Sequence, residues 1–275
     1  MMKSKIGNIL KYTVLGIYAV TCLYPMIWLF LSSFKSNEEL FANTWGLPSA
    51  LELTNYVTAI VQGSIGRYFI NSVTTSVASV VICVVLSSMV SYAITRMQWK
   101  LSRTVMRLFM LGMMIPMYAT IIPLFAMFNK LGFLNSHISV IIPHVVFGFP
   151  MAIFILTGFM EGIPRELEEA AVVDGASIYQ IFRSVITPIA KPSIVTVAVI
   201  TFIDSWNDLL IPQIFLTSSK MMTLPVGLTE FEGLHTTNYV ASIAAVVITV
   251  IPSIVVYAVL HKNIMDGMVA GAVKG

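Results

Sequence analysis

Six stretches of the 275-residue chain run for more than twenty residues with almost no charge: 9–31, 68–95, 104–129, 138–160, 193–216 and 239–261. A bilayer core about 30 Å thick needs about 20 mostly apolar residues per helix, so each stretch has the length of one crossing. The short alternating segments of a membrane β-barrel are absent from the sequence. Composition agrees: charged residues are 11% of the chain, less than half of the roughly 25% usual in soluble proteins. Apolar residues are 57% and the mean hydropathy is +0.87. A soluble globule needs more charge than this to cover its surface, which excludes a soluble enzyme, a disordered tail and a nucleic-acid binder. The expected fold is an all-α integral membrane protein, one transmembrane domain over 1–275, in contact with the lipid bilayer.

Lysine and arginine set the expected orientation. With the N-terminus inside, the inner set is Lys3, Lys5, Lys11, Arg96, Lys100, Arg103, Arg107, Arg165, Arg183, Lys191, Lys262 and Lys274. The outer set is only Lys35, Arg67, Lys130 and Lys220, so the positive-inside rule puts both termini in the cytoplasm. The first stretch follows a basic start but lacks a small-residue cleavage site, so it reads as a retained anchor. Prolines at 25, 116, 123, 143, 150 and 252 fall inside the apolar runs. They predict kinked helices, since a membrane bundle can re-satisfy the freed carbonyls. Cys22 and Cys83 sit in apolar runs as small hydrophobes, and no bridge between them is expected.

The connection 161–192 is the informative one, because it is long, charged and patterned. Pro164 suits a helix start, and Glu166, Glu168 and Glu169 complement the dipole there. Ala170 and Ala171 keep one face thin. Asp174 followed by Gly175 supplies a left-handed stop. Ser177 can cap a second helix in which Ile178, Ile181, Phe182 and Val185 recur at helical spacing, and Pro188 ends it. Anionic lipid repels a helix that opens on carboxylates, so docking to a cytoplasmic partner is the better reading than rest on a membrane surface.

Glu169-Ala170-Ala171, then Gly175, nine residues, and a hydrophobe-x-x-Pro pattern ending at Pro188 resemble the cytoplasmic loop of importer-type ABC permeases. The ending 267–275 (GMVAGAVKG), Trp206-Asn207-Asp208 and the stretch 122–132 (IPLFAMFNKLG) resemble the maltose-type carbohydrate branch of that family. Thr187 departs from the pattern, which usually has leucine there. The resemblance implies a type I importer permease fold and a binding-protein-dependent sugar permease. It further implies pairing with a second, homologous permease (a heterodimer), two ABC ATPase subunits beneath, and an extracytoplasmic sugar-binding protein. The loop residues Glu168, Glu169, Ala170, Ala171, Asp174, Gly175 and Pro188 are then the ATPase-coupling set. The outer loop 217–238 enters the binding protein's cleft through Leu228, Glu230, Glu232 and Gly233. The tail residues Gly271, Ala272, Val273, Lys274 and Gly275 reach the ATPases. No phosphate-binding Gly-x-x-x-x-Gly-Lys-Ser/Thr loop is present in the sequence, so ATP and Mg²⁺ belong to the partner and this chain carries no cofactor and is not an enzyme. Such a chain resides in a bacterial or archaeal cell membrane.

Asp204 and Asp208 stand four residues apart in the fifth stretch, on one helix face if that helix is continuous. A carboxylate near mid-membrane costs at least about 2.5–3.5 kcal/mol without partners, so these residues have a task. With Trp206 and Asn207 they are candidates to line a sugar pathway, the carboxylates accepting from hydroxyls and the indole offering a ring face. A structural knot is the favoured reading for Asn207 and Asp208, and both readings stand for Asp204. His144 reads as a satisfied buried histidine, because no metal-ligand spacing surrounds it. A non-sugar solute is argued against by the tail and Trp206-Asn207-Asp208. A proton-coupled carrier is argued against by six spans without inverted repeats, and an intramembrane hydrolase by the lack of Gly-x-Ser-x-Gly near Ser64. Deleting the residues after Met268 should leave an assembled transporter in which loaded binding protein no longer stimulates ATP turnover; an unaltered stimulation ratio makes the tail idle.

Overall fold

The structure is a computed structural model that describes residues 2–97, 99–234 and 238–272, with side chains described for 8–97, 99–231 and 238–260. Every regular element among them is helical. The long α1 (Met2–Ser32) is followed by short α2 (Asn37–Ala42) and α3 (Thr54–Val57), then by α4 (Ile65–Thr95), α5 (Ser102–Gly112), α6 (Ile121–Leu131) and α7 (Ile138–Met160). Three short helices come next, α8 (Glu166–Val173), α9 (Ile178–Ile181) and α10 (Thr187–Ile189). They lead to α11 (Lys191–Asn207), α12 (Leu210–Phe215), α13 (Leu224–Leu234) and α14 (Tyr239–Ala272).

Among the described residues four segments are long and apolar enough to cross a membrane unaided: Asn8–Ser32, Ile65–Thr95, Ile138–Met160 and Tyr239–Leu260. They coincide with four of the stretches expected from sequence. Pro25, Pro143, Pro150 and Pro252 lie inside them without ending them. The other two stretches are not single helices. The one expected at 104–129 is bent by 86° between Ser102–Gly112 and Met117–Leu131. Pro116, which brings no N–H and disfavours a helical residue before it, sits at the break in an extended conformation. The one expected at 193–216 stops at Asn207, with Asp208 extended. There the Asp208 carboxylate takes the Leu210 N–H at 3.1 Å, a local bond that competes with the helix. Pro212, four residues on, has no N–H to offer the Asp208 carbonyl. Upstream, Ile178–Ile189 meets Lys191–Asn207 at 77°.

The chain divides into two compact units, Met1–Arg67 with Gly227–Ile251, and Tyr68–Val226 with Pro252–Gly275. In the first, Lys35 is fully buried. Its ammonium donates to the carbonyls of Asn43 at 2.7 Å and Thr44 at 3.2 Å. The Asn55 amide spans the same turn by donating to the carbonyls of Ser33 and Lys35, both at 2.9 Å. Gly63 lies against the Phe231 ring so closely that a Cβ there would stand 2.2 Å from it.

The second unit is built around α7 and one face of α4. Ser72, Ser76, Ser79, Cys83, Ser87 and Ser91 recur every three or four residues and are all buried. A face of small side chains lets helices approach closely where lipid removes the hydrophobic drive to associate. Ser91 donates to the Ile153 carbonyl at 3.4 Å, and Thr201 reaches the Cys83 sulfur at 3.8 Å. Cys83, Ala152, Leu156 and Val197 form one apolar cluster; Phe128, Val140, Ile211, Phe215 and Leu216 form another. Both cysteines are free thiols. Ser79→Leu should cost about 1–3 kcal/mol by overpacking this face, whereas Val77→Leu, at a position 49% exposed, should leave the thermal midpoint of the purified protein unchanged.

Candidate functional site

The 161–192 connection forms the expected turn at Gly175 and cap at Ser177 from local rules, but α8 starts at Glu166, past Pro164, and the second helix is not ended by Pro188. Glu166, Glu168 and Glu169 occupy the first turn of α8. Past its end Gly175 has φ +81°, a left-handed conformation. The Gly175 N–H bonds the Val172 carbonyl at 3.0 Å and the Ala176 N–H bonds the Ala171 carbonyl at 2.9 Å, the paired bonds of a Schellman stop. Ser177 then caps α9, its N–H donating to Gln180 Oε1 at 2.7 Å while its hydroxyl accepts from the Gln180 N–H. A π turn over Phe182–Ile186 joins α9 to α10, so Pro188 lies inside the closing turn of the segment, one residue before its end at Ile189.

This hairpin has an inner and an outer face. Ala171, Ala176, Phe182 and Val185 pack on a buried cluster of Tyr92, Met160, Ile163, Ile181, Ile186 and Ala190. Glu169, Ala170, Asp174 and Gly175 are exposed, beside Val173 (87%) and Tyr179 (66%). Glu168 points the other way. Its Oε1 lies 3.0 Å from Arg96, whose side chain is 3% exposed. The same guanidinium donates to the carbonyls of Ile163, at 2.7 Å, and Met160. Arg96 enters the sequence reading only as one cation of the inner set. The one signal for a special role is its position, directly after a run of 28 uncharged residues (68–95).

A cavity of 350 Å³ in the second unit is lined in part by Met117, Tyr118, His144, Thr201, Asp204 and Asp208. Asp204 is open to it. Asp208 is buried and tied on three sides: Oδ1 accepts from the Leu210 N–H at 3.1 Å and the Tyr118 hydroxyl at 3.4 Å, and Oδ2 lies 3.3 Å from His144 Nε2. The carboxylate that the sequence did not place near His144 therefore comes from 64 residues away. Because α11 ends between them, Asp204 and Asp208 do not share a helix face. Asn207 donates to the Ile203 carbonyl at 3.0 Å, closing the helix end. Trp206 offers no ring face for a sugar: it is 1% exposed, stacked on Phe202 and met edge-on by Phe69. Among the described residues no three His, Cys, Asp or Glu side chains group as a metal site.

The segment read as the loop 217–238 contains α13, in which Leu224, Leu228 and Phe231 fall on one apolar face. Asn71 fixes its start by donating to the carbonyls of Lys220 at 3.0 Å and Met222 at 2.8 Å. Leu228 and Glu230 are partly exposed on α13. Val273, Lys274 and Gly275 lie outside the described residues, as do the side chains of Glu232 and Ala272 and the surroundings of Gly233 and Gly271.

Residues 90–268 match the family model described as "Binding-protein-dependent transport system inner membrane component". The chain belongs to this family. Its members are permease subunits of transporters, not enzymes. The permease is 33% identical over 270 residues to the probable starch degradation products transport system permease protein of Thermoanaerobacterium thermosulfurigenes, covering 97% of this chain and 98% of that one. It is 32% identical to the arabinooligosaccharides transport system permease protein of Halalkalibacterium halodurans, with each chain covered in full. Among solved structures it resembles a chain of a bacterial ABC transporter that imports the acidic polysaccharide alginate, with a TM-score of 0.81 at 26% identity, covering 95% of this chain and 98% of that one.

Asp208→Ala in the permease should cost about 1–3 kcal/mol for each buried donor left without its acceptor. Asp204→Asn should change stability by no more than about 0.5 kcal/mol. Thermal unfolding of the two purified variants checks the division between a structural and a lining carboxylate.

Proposed function

We propose that this permease is a transmembrane subunit of an ATP-driven importer for a di- or oligosaccharide and forms half of the translocation pathway. The α8–α10 hairpin carries the reading. Locally fixed in shape, it presents carboxylates and large apolar side chains together on an exposed face, as a docking element requires. The sugar class rests on the relatives, whose names include starch degradation products and arabinooligosaccharides.

Taking 104–129 and 193–216 as one interrupted crossing each, beside the four unbroken helices, gives six spans, and the distribution of lysine and arginine supports both termini in the cytoplasm of a bacterial or archaeal cell. On this reading 1–275 acts as one transmembrane domain beside a homologous second permease, with two ATPase subunits below and a sugar-binding protein outside. ATP and Mg²⁺ act in the ATPases. Glu169, Ala170, Asp174 and Gly175 face an ATPase cleft, the tail 271–275 reaches the same partner, and Leu228 and Glu230 on α13, with Glu232 and Gly233, approach the binding protein. ATPase closure draws the hairpin inward and turns the pathway outward. Asp204 then accepts hydrogen bonds from sugar hydroxyls, while Asp208 holds the wall of the cavity.

The test is a binding panel followed by a coupling assay. The cognate binding protein is screened against malto-, arabino-, chito- and alginate oligosaccharides, and its best ligand is used to stimulate ATP turnover by the reconstituted complex. Glu169→Gln removes a charge-assisted bond worth about 1.5–3 kcal/mol, so stimulation should fall about tenfold or more. No binding of any oligosaccharide overturns the sugar reading. Unchanged stimulation in Glu169→Gln reduces that carboxylate to support of the helix dipole, worth about 0.3–1 kcal/mol.

A further inference from the structure

We infer that Arg96 is the positioning residue that makes the coupling hairpin a rigid extension of the ends of α4 and α7, with Glu168 as its internal counter-charge. The inference rests on the coupling reading above. Arg96 follows α4 directly and its guanidinium is all but buried. The guanidinium meets three structures at once: it donates to the carbonyls of Met160, the last residue of α7, and of Ile163 beyond it, and it stands 3.0 Å from the carboxylate of Glu168 in the first turn of α8 as an ion pair. The last carbonyls of a helix carry its negative end, so a cation is a fitting cap there even though the Met160 carbonyl also accepts the Ile163 N–H at 3.1 Å.

The apolar cluster beneath the hairpin cannot do this alone. Contacts between Ala171 or Phe182 and Tyr92 or Met160 hold the hairpin down, but apolar contact has no direction and tolerates sliding. A planar guanidinium bonded to two carbonyls and paired with a carboxylate resists it. A displacement of α8 is therefore carried to both helix ends together. The two neighbouring carboxylates consequently divide their work: Glu169 faces outward for a partner, and Glu168 is spent inside the chain.

The variants are Arg96→Lys, which keeps the charge and loses the fork, Glu168→Gln, which keeps the shape and the carbonyl contacts, and the double variant. Each is measured in the reconstituted complex for ATPase content, basal ATP turnover and stimulation by binding protein loaded with the best oligosaccharide of the panel. Each single variant should keep its ATPase content and basal turnover while its stimulation ratio falls at least about fivefold, the lower end of ordinary coupling between sites. The double variant should lose no more than the larger single loss, because the two residues act as one strut. A merely structural pair would instead lower ATPase content and basal turnover together at a constant ratio, and that result overturns the inference. So does a normal ratio in both singles. Should Arg96→Lys fail to assemble, Glu168→Gln decides. A wild-type complex without any stimulation contradicts the transporter reading itself, which separates that failure from failure of the strut.

Discussion

In hydrocarbon a broken helix has no water to receive its freed N–H and carbonyl groups, so each break must be closed by the protein's own side chains. Asp208 meets that demand where α11 stops. Its Oδ1 takes the Leu210 N–H, and the same oxygen receives the hydroxyl of Tyr118, which stands just past the break between α5 and α6. His144, in the unbroken α7, approaches the other oxygen. One carboxylate thus ties two interrupted spans to a continuous one. The cavity that Asp204 opens to is lined by residues of both interrupted spans and of α7.

Buried cations follow the same rule by different means. Lys35 is solved by carbonyls alone, those of Asn43 and Thr44. Arg96 takes carbonyls and a carboxylate, which its forked geometry allows and a single ammonium does not match. Each sits where a helix ends, and helix ends are where a membrane protein has acceptors to spare. On the serine face of α4, Ser91 donates to the Ile153 carbonyl, and Thr201 of α11 reaches the Cys83 sulfur.

Features written in consecutive residues were legible in the sequence. Four unbroken spans, the turn at Gly175 and the cap at Ser177 all follow from composition or from motifs shorter than ten residues. What escaped depends on distant residues meeting. Nothing near His144 announces Asp208, nothing near Arg96 announces Glu168, and the burial of Trp206 between Phe69 and Phe202 needs the bundle itself. The breaks were half legible: Pro116 and Pro212 are visible, but proline also sits harmlessly in α7 at positions 143 and 150. The 217–238 segment was misread because its threonines, glycines and glutamates masked the regular recurrence of Leu224, Leu228 and Phe231.

The stop at Gly175 and the cap at Ser177 are each closed by bonds reaching no further than five residues. The bend therefore owes its form to a few positions within 171–180, and the exposed residues around it owe that form nothing. Leu167, Val173 and Tyr179 are free to be exchanged without refolding the bend. Recognition and architecture are inherited separately here: such a hairpin can drift in sequence to suit a new ATPase, or be moved whole into another permease, and still arrive with the same contour.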